Sequence, residues 1–238
     1  MKLDILAFGA HPDDVELGAS GTLLLHMEKG YTCGIIDLTR GELGTRGNAQ
    51  TRNTEAQKAA EILGIHVREN LNMDDGFFLN DKNHQLAIIT AIRKFQPEIV
   101  LATAGHDRHP DHSRAALLIS HAVFLAGLIK IETKYDNVPQ EKWSVKSLYN
   151  YIQDKYIKPD FAIDITEVWN KKIQAVKAYT SQFYDPFSSE PETAISGMEF
   201  MEFIGARAME MGRPIGAKYA EGFTVQRTVG IKDLFNLV

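Results

Sequence analysis

Cysteine is nearly missing from this sequence of 238 residues: Cys33 stands alone, which excludes an intramolecular disulfide and every cysteine-rich zinc module. It lies in an apolar run and reads as a buried, inert thiol. Long hydrophobic stretches are lacking too, since none approaches the roughly 20 residues that cross a bilayer. The opening MKLDILAFGA carries one lysine, an early aspartate and a short apolar run, so it reads as a first strand and not as a secretory leader. The expectation is a cytoplasmic protein with no membrane partner. Basic residues form no dense cluster and the net charge is −5, which argues against nucleic acid as a partner. Neither a G-x-S-x-G nucleophile elbow nor a G-x-G-x-x-G turn after the first strand occurs, so serine hydrolase chemistry and dinucleotide binding lose their usual signatures. No repeat, low-complexity tract or Pro/Gly/Ser linker divides the chain, and a single domain over 1–238 is expected.

What is there is ordinary globular material, 44% hydrophobic and 24% charged. A chain of this length buries most of its apolar surface without staples, so a metal site can serve chemistry instead of folding. Apolar runs of strand length alternate with amphipathic runs of helix length. Strands are expected at Lys2–Phe8, Thr32–Leu38, Val67–Leu71 and Glu98–Thr103, and helices at Gly21–Glu28, Thr51–Leu63, Gln85–Gln96 and from about Asp111 onward. This βαβαβαβα pattern predicts an α/β, Rossmann-like, three-layer αβα fold with a mostly parallel sheet and right-handed crossovers. Further strands are expected at Ser147–Ile152 and Phe161–Ile165, and helices at Glu167–Gln182 and Met198–Glu210. With the common strand order 3-2-1-4, ligands sit beyond the carboxyl ends of strands 1 and 4, where the order reverses.

Those two places carry the densest chemistry in the sequence. Ala10-His11-Pro12-Asp13-Asp14 follows strand 1, and His106-Asp107-Arg108-His109-Pro110-Asp111-His112 follows strand 4. Three of the eight histidines fall in that second stretch. Two imidazoles and a carboxylate with open positions suit a catalytic divalent metal, whereas a structural zinc is closed by four protein ligands. His11, Asp14 and His112 are the expected metal ligands. Adjacent carboxylates project differently, so Asp13 is expected to face the water and act as general base. His109, with Asp111 beside it to hold its tautomer or its cationic form, is expected to donate to a developing oxyanion and to protonate a leaving amine.

These residues resemble the PIG-L or LmbE-like deacetylases, whose hallmarks are A-H-P-D-D after the first strand and H-P-D-H after the fourth. The resemblance extends to Gly18–Thr22, Arg52, Asp74-Asp75-Gly76 and Ala220-Glu221-Gly222-Phe223. Within the family, Arg40–Gly47 is similar to the N-acetylglucosaminyl-malate deacetylases of bacillithiol biosynthesis. The resemblance implies a zinc ion (Zn2+), hydrolysis of an N-acetyl group from a small-molecule N-acetylglucosaminide, and a homo-oligomer, often a hexamer. By position it implies that Arg52 and one of Asp74 or Asp75, here Asp75, hold sugar hydroxyls. Arg108 is the candidate for a malate carboxylate, because a guanidinium pairs with that group bidentately.

Two readings of other classes compete. Two histidines and a carboxylate also form an Fe(II) oxygenase triad, but an oxygenase has no use for a second aspartate aimed at metal-bound water. A non-catalytic sugar-binding module on the same fold leaves the expected base and acid, Asp13 and His109, without a purpose. His26, His66, His84 and His121 lack carboxylates in ligand spacing and read as surface or core residues. The run from Met198 to Met211 has helical spacing and reads as packing.

Overall fold

A computed structural model of the protein describes residues 1–236. The strands are β1 (Ile5–Gly9), β2 (Cys33–Thr39), β3 (Val67–Met73), β4 (Ile99–Ala102), β5 (Lys134–Tyr135), β6 (Val138–Pro139), β7 (Ser147–Tyr151), β8 (Phe161–Asp164) and β9 (Ala220–Val225). The helices are α1 (Asp14–Gly18), α2 (Ser20–Glu28), α3 (Ala49–Leu63), α4 (Lys82–Phe95), α5 (Pro110–Ala126), α6 (Trp169–Val176) and α7 (Met198–Gly212). One seven-stranded sheet runs in the order β3-β2-β1-β4-β7-β9-β8. Its first five strands are mutually parallel, and β9 lies antiparallel between β7 and β8. The α/β fold expected from the alternation is therefore the observed one, and its first half has the order 3-2-1-4.

The central strands are buried on both faces, as parallel sheets covered by helices require. Along β1, Ile5 and Ala7 enter one core with Leu23, Leu63 and Val176, while Leu6 and Phe8 enter the other with Ile88, Ile92 and Leu118. The period of two in the strand thus assigns alternate side chains to the two helical layers. Gly18 is where Tyr151 packs: a Cβ there would collide with the Tyr151 ring, whose hydroxyl donates to Phe8 O at 2.8 Å.

Two departures from the sequence reading have local causes. The helix expected over Glu167–Gln182 stops at Val176. The Glu55 carboxylate instead accepts from Ser181 N at 2.7 Å, Ser181 Oγ at 2.7 Å and Thr180 Oγ1 at 3.1 Å, which ties this segment into a turn against α3. Strand β9 was not expected, and Glu221 on it reaches across the fold. Its carboxylate accepts from Gly21 N and Thr22 N at the start of α2, at 2.8 and 2.7 Å, and pairs with the buried Lys172 ammonium at 2.6 Å. The orphan amides of a helix N-terminus are thereby satisfied from a distant strand. No helix among the described residues is long and apolar enough to cross a membrane.

Candidate active site

The turn after β1 and the start of α1 carry His11, Asp13 and Asp14, and the turn after β4 and the start of α5 carry Asp107, His109, Asp111 and His112. Because β1 and β4 are hydrogen-bonded neighbours in parallel register, both turns open at the same sheet edge. All of these side chains except Asp107 line a cavity of about 480 Å3. Its opposite wall comes from α7, including Phe200, Phe203 and Ile204, and from Ile195. The aromatic run read as simple packing therefore shapes the cavity as well.

His112 Nε2 lies 3.1 Å from Asp14 Oδ1, and His11 Nδ1 lies 3.7 Å from Asp14 Oδ2. Asp14 therefore faces both imidazoles, each through a different oxygen. The ligand atoms that all lie within 4.8 Å of one another are those of His11, His109 and His112 and those of His11, Asp75 and Asp111, so Asp14 lies outside both of these groups. The nitrogen of each imidazole that points away from Asp14 is tied to a carboxylate. His112 Nδ1 meets Asp107 Oδ2 at 2.6 Å, and His11 Nε2 meets Asp75 Oδ1 at 3.0 Å and Asp111 Oδ2 at 3.3 Å. Such partners fix ring orientation and raise ligand basicity in metal sites.

The electrostatics fit a cation at this point. Burial works against the His11 imidazolium, but hydrogen bonds to Asp111 and Asp75 and the nearby Asp14 charge outweigh it and raise the pKa to about 10. His112, also opposed by burial, is raised to about 9 by Asp14 and Asp107. The same histidine charges hold Asp14 well below the ordinary carboxylate range despite its burial. A field that retains protons on two imidazoles at neutral pH is one that a divalent cation exploits by displacing them.

Asp13 occupies a different environment. Its φ of 118° is in the region that disfavours side chains, a conformation that costs on the order of 1–3 kcal/mol and persists only where the surroundings impose it. Burial pushes its carboxyl up to about 7, against the opposing pull of the Arg52 guanidinium. Arg52 Nη2 donates to Asp13 Oδ2 at 3.0 Å and also to Pro12 O, and Nη1 donates to Gln182 Oε1 at 3.0 Å.

His109 caps α5, with its Nδ1 accepting from Asp111 N at 3.3 Å. That contact leaves the hydrogen of the neutral ring on Nε2. Burial, and then the charges of His11 and His112, lower its pKa. The ring is therefore a neutral donor at the cavity.

Several expected roles meet different geometry. Asp111 does not hold the His109 tautomer through its carboxylate: Oδ1 accepts from Arg114 Nη1 at 2.6 Å, and Oδ2 is shared by His11 and Gly76 N. Both oxygens of Asp75 are engaged as well, by His11 and by Leu43 N at 3.0 Å, so it orients a histidine from the cavity wall. Asp74 is exposed. Arg52 borders the cavity but spends its guanidinium on Asp13, Pro12 and Gln182, because the first turn of α3 brings it directly beside the strained Asp13. Arg108 sits on the rim, half exposed, with Nε donating to Asp154 Oδ2 at 2.5 Å. Asp107 has no role assignable from the sequence, although it stands in the same motif. Its one signal there is a further carboxylate five residues before His112.

Residues 6–123 match the family model PIG-L, GlcNAc-PI de-N-acetylase. The chain belongs to the PIG-L or LmbE-like deacetylase family. The conserved protein TT1542 from Thermus thermophilus is 35% identical in sequence, covers 98% of both chains and superposes with a TM-score of 0.86. Diacetylchitobiose deacetylase of Thermococcus kodakarensis is 29% identical over 92% of this chain and 81% of its own. A 4-oxalmesaconate hydratase of Pseudomonas putida is 29% identical over 74% and 73%. A probable N-acetyl-alpha-D-glucosaminyl L-malate deacetylase 2 of Bacillus cereus is 26% identical over 76% and 84%. The chain is a deacetylase-family hydrolase related to enzymes of N-acetylglucosamine-type substrates.

Proposed function

We propose that the protein is a zinc-dependent N-deacetylase that hydrolyses the acetamide of an N-acetylglucosamine derivative to acetate and the free amine. The observation that carries this reading is Asp14 facing both His11 and His112, with the buried, strained Asp13 beside it. Zinc held by those three side chains would supply Lewis-acid polarisation of the amide carbonyl and acidify the attacking water toward a pKa of about 7. Asp13 accepts the proton that water loses as its oxygen bonds to the acetyl carbon. His109 donates its Nε2 hydrogen to the oxygen on which negative charge develops. As the C–N bond breaks, Asp13 passes that proton to the departing nitrogen, while the neutral His109 keeps its single Nε2 hydrogen on the oxygen. Asp107, Asp75 and Asp111 keep the imidazoles in register for this step.

Treatment with a strong chelator is expected to abolish acetate release from a panel of N-acetylglucosaminides, and one equivalent of zinc to restore it. Retained activity in metal-free protein removes the metal from the reaction. Recovery only with Fe(II) and oxygen uptake makes it an oxygenase. Acetate release also separates hydrolysis from the hydration for which the Pseudomonas putida relative is named.

Among conjugates, N-acetyl-alpha-D-glucosaminyl L-malate is supported by Arg108 on the rim and by the Bacillus cereus relative. Asp154 takes the Nε hydrogen of Arg108, and a guanidinium carries four further N–H groups for a carboxylate. Arg108→Ala is expected to lower kcat/KM on the malate conjugate by about 10- to 100-fold, the equivalent of a lost charged hydrogen bond. Plain N-acetylglucosamine and diacetylchitobiose should be nearly unaffected. An equal loss on all three shows that Arg108 serves the rim structure instead.

A further inference from the structure

Gln153 lies just beyond β7 and is buried, with 8% of its surface exposed. Its Nε2 donates to Asp14 Oδ1 at 2.8 Å. Because a carboxylate only accepts, this contact fixes which end of the amide is nitrogen. The other end, Oε1, is buried and has no hydrogen-bond partner among the described residues. The backbone at this point is itself clamped from α7, where Arg207 donates to Gln153 O at 3.1 Å and to Asp154 O at 2.9 Å.

This arrangement is costly for packing alone. A buried acceptor without a donor carries a desolvation penalty that a methionine of similar shape would avoid. The amide is therefore best explained by what its nitrogen does. Asp14 Oδ1, the oxygen it holds, is the same oxygen that faces His112 Nε2 at 3.1 Å. The second oxygen of Asp14 is held by His11 N at 2.9 Å. Gln153 completes the set: each imidazole has its carboxylate, and the aspartate has an amide.

We propose that Gln153 is a positioning residue for the metal site, fixing the Asp14 carboxylate so that Oδ1 is presented toward His112. The inference rests on the reading of His11, Asp14 and His112 as ligands. It concerns metal affinity and leaves the identity of the substrate aside.

The test is a zinc competition titration against a chromophoric chelator, run on chelator-stripped wild type, Gln153→Met, Gln153→Asn and His112→Ala, with thermal melts of each metal-free protein. Methionine keeps the volume and removes the donor, and asparagine keeps the amide one methylene short of Asp14. Loss of a partner of this kind typically costs about 10- to 100-fold in metal affinity. Both Gln153 variants are expected to bind zinc more weakly by that factor while melting, metal-free, close to wild type, and His112→Ala should bind weaker still. Zinc affinity within about twofold of wild type, in whichever Gln153 variant folds, overturns the proposal, because a positioning partner carries at least tenfold. A loss of affinity matched by a large fall in the metal-free melting temperature overturns it as well. Wild type and His112→Ala binding zinc equally would overturn the ligand assignment itself, and the role of Gln153 with it.

Discussion

Asp13→Asn is expected to retain nearly full zinc and to lose most of its turnover, while Asp14→Ala is expected to lose the zinc. The two neighbours differ in what surrounds them. Asp14 faces both histidines and accepts hydrogen bonds at each oxygen, so removing it deletes a ligand. Asp13 contacts Arg52 and borders the same cavity, so removing its charge deletes a proton acceptor. Loss of a general base usually removes about 10²–10⁴ of the rate, and what remains comes from metal polarisation and binding. Asparagine preserves shape and a hydrogen bond to Arg52 but cannot take the proton. Simple helix capping predicts only about 1 kcal/mol of stability loss with activity intact, and Asp13 makes no side-chain capping bond to α1. Metal content, melting temperature and acetate release measured on the same preparations decide the matter. Zinc lost from Asp13→Asn but kept by Asp14→Ala would exchange the two roles. Full activity in both would end the mechanism.

Arg68→Met is expected to produce the largest loss of stability. Arg68 is on β3, with Nε and Nη2 donating to the two oxygens of Asp37 at 2.9 and 3.0 Å and Nη1 pairing with Glu16 and donating to Ala56 O at 3.2 Å. Tyr179 OH adds a bond to Glu16 Oε1 at 3.0 Å. The side chains of Arg68, Asp37 and Glu16 are at most 3% exposed. Burial pushes the Asp37 carboxyl up, and the guanidinium pulls against that shift. Methionine fills similar space and leaves two carboxylates buried without their cation. Removing one member of a buried ion pair costs roughly 3–5 kcal/mol. At about 2–4 °C per kcal/mol for a chain of this size, the melting temperature should fall by ~6–20 °C. Arg68→Lys, which keeps charge and loses the two-pronged contact with Asp37, should fall between. A melting temperature for Arg68→Met within ~2 °C of wild type, the equivalent of less than about 1 kcal/mol, would mean that the carboxylates take up protons or water at little cost. The network would then not be what holds α1 in place. Because Glu16 is on α1 two residues after Asp14, a destabilised network should also weaken zinc binding.

The sequence was most legible where one physical constraint acts alone. Runs such as Lys2–Phe8 and Glu98–Thr103 are largely apolar because both faces of a central parallel strand meet a core. The histidine and aspartate motifs stood out for a related reason: so many ionisable groups in two short turns cannot be accommodated unless they serve a common centre. Strand β9 was not legible, because Ala220–Val225 has neither a long apolar run nor a turn signal that marks an antiparallel insertion. The hydrogen-bond partners of Arg52, Asp75 and Asp111 were not legible, because sequence position places a residue near a site without saying which neighbour captures its hydrogen bonds.

By itself the sequence determined the alternation of strands and helices, the two layers they pack into, and the identity of the cluster at the switch point between β1 and β4. Those follow from periodicity and from backbone connectivity, which are local properties of the chain. Only the tertiary structure decided that Asp107, Asp75 and Asp111 orient imidazoles, that Arg52 is spent on Asp13, and that Gln153 and the α7 wall belong to the site. Each of these depends on a contact between segments far apart in the chain or on the exact turn of a loop. A hydrogen bond forms only within about 3 Å and along a narrow range of angles, and that geometry exists only once the distant elements have packed.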